Sequence, residues 1–126
     1  MLELRQSTAV VVPFGCFVDK DDGIALKADA TTITDIDHAT TGIFLSKNGG
    51  TGVIRHQSVT ASVADAYGMM LVTLDTTDTA TLGTLKVSFA KAATYLPVWL
   101  DCMVITQVAW DTKYASDTQE EQASIT

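Results

Sequence analysis

The sequence predicts an all-β domain, a single antiparallel β-sandwich of immunoglobulin-like or jelly-roll-like type with extended terminal segments. Three observations predict it. Thr and Val are common while Glu, Lys, Arg and Gln are sparse, and β-branched side chains suit a pleated, half-buried surface. In 84–89, Leu85, Val87 and Phe89 alternate with Thr84, Lys86 and Ser88, the period-two pattern of a strand with one face in a core and one in water. Finally, roughly seven to nine short strand candidates are separated by turn signals at fairly even spacing.

In chain order, the first strand is expected over 7–12, where Pro13 ends it or bends it onto an edge. A short run follows at 16–18. The segment Asp19-Lys20-Asp21-Asp22-Gly23 is a turn, and 24–27 a brief return strand. The Asp- and Thr-dense segment 28–41 is read as one strand around 32–36 and a loop. Ile43 and Leu45 alternate with Phe44 and Ser46 up to the hairpin turn Lys47-Asn48-Gly49-Gly50, because Asn and Gly accept positive φ at little cost. The strand returning from it is placed at 52–56. A weaker strand is placed at 58–63 and a turn at 65–68.

The strands 69–74 and 84–89 are central, and the first of them is expected to turn Met70, Val72 and Leu74 inward. The Asp/Thr linker between them prefers turns to ladders. The last strong strand is 98–106. Asp101 belongs in water, which puts Val98, Leu100, Cys102 and Val104 inward. The pattern fades from Gln107. The sandwich domain is therefore assigned to 1–110, and 111–126 to an acidic, polar C-terminal tail or arm that orders on a neighbour.

A chain of 126 residues is expected to form one domain whose core needs no disulfide or metal. Cys16 and Cys102 are read as reduced, buried thiols. The net charge of −7 disfavours nucleic acid and anionic membranes as partners. No apolar run approaches the roughly 18 residues of a membrane helix. The opening MLELRQ lacks the basic start of a secretion signal, so synthesis and folding in a cytoplasm are expected.

Catalytic residues, a metal site and a cofactor are all expected to be absent. There is no G-x-S-x-G elbow, phosphate-binding glycine loop or H-E-x-x-H motif. His38 and His56 show no ligand spacing and are read as exposed. The 19–23 turn fails as a calcium loop, having Ile24 in place of the required glycine and Ala30 in place of the carboxylate. Trp99, Trp110 and Tyr95 suit a core or a protein interface better than a sugar platform. If Asp101 faces water, Trp99, Met103 and Ile105 share its face. Large apolar side chains there call for cover, from the apolar arms 10–17 and 108–110 or from a neighbour. Trp99, Met103, Ile105 and Trp110 are accordingly the candidate partner interface.

Three pieces resemble a group of small β-sandwich structural proteins of tailed bacteriophages: LRQSTAV with PFGCFVDKDDG, then IFLSKNGGTGV, then YGMMLVTLDTTDTATLGTLKVSF followed by LPVWLDCMVI. They run from Leu4 to about Trp110. The chain departs from that pattern in its long Asp/Thr segment before Ile43 and in Cys102, where a larger apolar residue is common. The resemblance implies a non-enzymatic virion component, foremost a head decoration or cement protein on the outer surface of the particle. It would bridge subunits of the major capsid protein or other virion proteins, as a homo-oligomer or as lattice-bound copies, after assembly in the host cytoplasm. A tail, baseplate or fibre-attachment module is the structural alternative, and a carbohydrate-binding adhesin the alternative of another class.

Overall fold

The computed structural model describes residues 1–56 and 61–114. Along them run β1 (Leu2–Arg5), β2 (Val10–Phe14), α1 (Ala30–Ile36), β3 (Phe44–Lys47), β4 (Val53–Ile54), β5 (Val63–Ala64), β6 (Met70–Leu74), β7 (Gly83–Phe89), β8 (Val98–Ile105) and α2 (Gln107–Tyr114). The strands form two sheets, β1-β8-β7-β3-β4 and β2-β6-β5. The fold is all-β, mostly strands with two short helices.

The alternation in 84–89 has the expected outcome. Leu85, Val87 and Phe89 are buried while Lys86 is exposed. On β6, Met70, Val72 and Leu74 are buried, and on β8 Val98, Cys102 and Val104, with Leu100 half-buried beside them. These side chains share one core with Leu4 of β1, Val12 and Phe14 of β2 and Leu45 of β3, so both sheets contribute to a common interior. Phe17 sits at one end of it, its ring 5.6–5.8 Å from those of Phe14, Phe89 and Tyr95 in edge-on arrangements favoured by the ring quadrupoles.

The sheets are not purely antiparallel. β1 lies parallel to β8, with Leu2 opposite Cys102 and Arg5 opposite Ile105. No hairpin joins these two strands, so nothing local dictates their direction.

The single strand expected at 7–12 is also replaced. Ser7 adopts φ 52°, in a turn that ends β1 and carries the chain to β2 in the other sheet. Of residues 10–17, expected as a covering arm, Val12, Phe14 and Phe17 are buried in the core, while Val11, Pro13 and Cys16 are exposed. Pro13 sits inside β2 because β2 is an edge. Asp65 donates to the Met69 carbonyl, which turns Met69, Leu71 and Thr73 toward β5. Met70, Val72 and Leu74 then face β2, where their register partners are Phe14, Val12 and Val10. Pro13 falls between them, with its hydrogen-free nitrogen on the open side.

The segment 32–36 is helical rather than extended. Asp29 caps α1, its carboxylate accepting from the Thr32 amide at 3.0 Å, and Thr32 and Ile36 are buried on one side, one turn apart. The return strand at 24–27 is reduced to an isolated bridge between Val18 and Leu26. Of the strand expected at 58–63, residues 58–60 lie outside the described residues, and the pairing seen is Val63–Ala64 with β6. Where the pattern fades, α2 forms and runs through the boundary expected at 110/111. Residues 115–126 lie outside the described residues.

Candidate interaction surface

The four residues expected at a partner interface are not brought together. Trp99 stands at the start of β8 and is 61% exposed. It borders a shallow depression lined by Gly15, Cys16, Pro97 and Val98. Met103 and Ile105 lie on the same outer face at the far end of the strand and are half-buried. Their register partners on β1 are Glu3 and Arg5, the residues to which α2 is tied. Trp110 belongs to α2, its ring 5.0 Å from that of Tyr114.

The ties between α2 and β1 are ionic. Arg5 Nε donates to Asp111 Oδ1 at 2.9 Å and Nη2 to Oδ2 at 3.2 Å, the bidentate geometry a planar guanidinium provides. Lys113 Nζ and the Tyr114 hydroxyl donate to Glu3 at 2.9 and 2.7 Å. The Tyr114 and Lys113 hydrogen bonds hold the Glu3 carboxyl below its ordinary range, and the Arg5 guanidinium does the same for Asp111. The helix thereby returns alongside β1, and an apolar groove of about 790 Å³ opens between Leu2, Leu4, Val10, Val11, Pro13, Trp110 and Tyr114.

The hairpin turn is built as its residues demand. Asn48 and Gly49 have φ of 53° and 75°, and the Gly50 amide donates to the Lys47 carbonyl. The Asn48 side chain reaches to the start of β7, donating to the Leu82 carbonyl and accepting from the Thr84 amide. Gly83 has φ 113°, and a Cβ there would have to displace the Asn48 amide.

A buried polar cluster joins the segments that follow α1, β4 and β6. Arg55, 1% exposed, donates from Nη2 to Asp37 at 2.6 Å and from Nη1 to the Thr73 carbonyl at 2.8 Å. Asp37 also accepts from the Ser62 amide and hydroxyl. Asp78 accepts from the amides of His56 and Asp75, and burial raises its carboxyl above the ordinary value. The His56 ring pairs with Asp75 through Nδ1; it is half-exposed rather than free. His38 is exposed and its Nδ1 accepts from the amides of Thr40 and Thr41.

This cluster reads as a structural tie rather than a nucleophile with its base. The Ser62 hydroxyl donates into a carboxylate already held by a guanidinium, where a nucleophile would need a base free to take its proton. Cys102 is buried and its thiol is pushed up to about 11 by desolvation, far from thiolate chemistry. Cys16, expected to be buried, is exposed. No group of three or more metal-ligating side chains occurs among the described residues, and no helix among them is long and apolar enough to cross a membrane.

No family model matches the chain, and no curated protein or solved structure matches it.

Proposed function

We propose that the chain is a structural protein of a tailed-bacteriophage virion, a β-sandwich of immunoglobulin-like or jelly-roll-like type that acts as a head decoration or cement protein. Copies on the outer surface of the shell bridge neighbouring capsid subunits. The observation that carries this reading is Trp99: a large apolar ring, 61% exposed, with exposed Leu96 close by in sequence, on a strand face that also carries Asp101. A bare tryptophan of this kind is a typical anchor at a protein contact. The net charge of −7 suits the outside of a shell, away from packaged DNA.

The test is competition for shells of the same particle between the unaltered chain and Trp99→Ala. Loss of a central aromatic at a contact costs about 2 kcal/mol or more, so the variant should bind the shell roughly 30-fold more weakly at an unchanged melting temperature. Equal occupancy of the shell by both proteins overturns the contact. Binding confined to tail structures would move the protein to a tail or baseplate role.

A further inference from the structure

We propose that two copies of this chain associate through β1, edge to edge about a two-fold axis, to give one continuous sheet.

The argument starts from the four strand edges. Each sheet has two, at β1 and β4 in the larger and at β2 and β5 in the smaller. An unpaired edge is a template for another strand, and proteins guard it by shortness, proline or charge. β4 and β5 are two residues long. β2 carries Pro13, which leaves the middle of its open side without a donor. β1 has four residues, no proline and no bulge. Among the described residues, shortness or proline guards three edges; β1 has neither, its two charges are of opposite sign and are paired with α2, and its edge borders the apolar groove.

The direction of its backbone groups follows from the ladder. The Gln6 amide donates to the Ile105 carbonyl of β8, so by the strand's period of two Leu2 and Leu4 also turn their backbone groups to β8. Glu3 and Arg5 turn theirs away. Among the described residues no hydrogen-bond partner lies at either of these two amides outside the β1–β8 ladder.

Charge selects the occupant. In an antiparallel pairing centred on Leu4, Glu3 of one copy lies opposite Arg5 of the second, and Arg5 opposite Glu3. These are the outward-directed residues, so each pair exchanges two backbone hydrogen bonds, about four in all. Each pair also sets opposite charges side by side, the favourable cross-strand arrangement. Glu3 already holds Lys113, and Arg5 holds Asp111. The second copy therefore extends two ion pairs into one alternating row across the axis. A strand that is its own complement under a two-fold is what an isologous dimer requires.

The mass of the full chain in solution tests this by sedimentation equilibrium. A dimer at micromolar concentration is expected, and a monomer up to several hundred micromolar overturns the proposal, as does a trimer or larger ring. Glu3→Pro removes one outward N–H without touching the β8 ladder, and should weaken dimerisation at least tenfold. Trp99→Ala should leave the dimer intact. If Trp99→Ala breaks it and Glu3→Pro does not, the contact lies elsewhere and the proposal fails. Should Glu3→Pro not fold, amide exchange in the unaltered dimer decides. Protection of the Glu3 and Arg5 amides that is lost on dilution supports the edge pairing, and free exchange at both within a dimer overturns it.

Discussion

Arg55 shows how much of this molecule rests on single residues whose role cannot be read locally. It directly follows the two-residue strand β4 and precedes an exposed histidine, and its partners Asp37 and Thr73 are each 18 residues away along the chain. No spacing rule links them, so the sequence offers no sign that an arginine is the largest fully buried side chain. Removing one member of a buried, hydrogen-bonded ion pair costs about 3–5 kcal/mol. Asp37→Ala should destabilise by that amount in urea denaturation. The paired replacement Asp37→Leu with Arg55→Met should cost much less, because it removes both charges together; equal losses would mean that the pair contributes nothing beyond packing. Thiol chemistry gives a second check at this scale. Native protein at pH 8 should react with a thiol reagent at Cys16 alone, and at both cysteines once denatured. Modification of Cys102 in the native state would contradict its burial and the pKa of about 11.

Among the elements, β6, β7 and β8 were legible because alternation and burial agree at every step: Met70, Val72, Leu74, Leu85, Val87, Phe89, Val98, Cys102 and Val104 all point to the core. Where local preference and tertiary context disagree, the pattern misleads. Ala30-Thr31-Thr32-Ile33-Thr34-Asp35-Ile36 is poor in helix formers, yet α1 forms because Asp29 caps it and Ile36 enters the core; packing outweighs a weak propensity. Asp29→Ala should lower the melting temperature by a few degrees, and the loss should be smaller in acid. The Thr32 amide holds this carboxyl below its ordinary value. The cap's contribution is therefore present above the unfolded pKa of about 4 and fades as pH falls through the lowered folded value. β1 was missed for another reason. Four residues form too short a run to declare a strand, and the turn at Ser7 separates it from the longer apolar run after it. The Asn48 turn, by contrast, was visible as Asn-Gly-Gly, although its bond to the start of β7 was not. Asn48→Ala removes two partly exposed side-chain hydrogen bonds and should cost about 1–2 kcal/mol. Gly83→Ala should cost more, because φ 113° disfavours any side chain and the new Cβ displaces the Asn48 amide. The reverse order in urea denaturation would show that the amide moves aside without loss.

At the scale of the whole molecule, two kinds of attachment coexist and differ in their response to acid. The sheets are joined by apolar side chains whose burial does not depend on pH. Asp78, raised by desolvation, is harder to bury ionised than protonated. Its part in stability is therefore fully present below the unfolded pKa and lost as pH rises through the raised folded value. The helix α2 is fixed the other way. Glu3 and Asp111 are both held below their ordinary values by Tyr114, Lys113 and Arg5, so this attachment is present above about pH 4 and is lost as pH falls through the lowered values. Lys113 and Arg5, raised by the same contacts, stay charged throughout that window and then face neutral carboxylic acids. Acid should therefore release α2 before it unfolds the sheets. Trp110, packed on Tyr114, reports this directly in a Trp99→Phe background, where it is the remaining tryptophan. Its emission should shift to that of a solvated indole between about pH 4 and 2 while the far-ultraviolet signal of the strands persists. Arg5→Ala should give the shifted emission already at neutral pH. If emission and strand signal change together at every pH, α2 is integral to the cooperative core and the separation between its ionic attachment and the apolar interior does not exist.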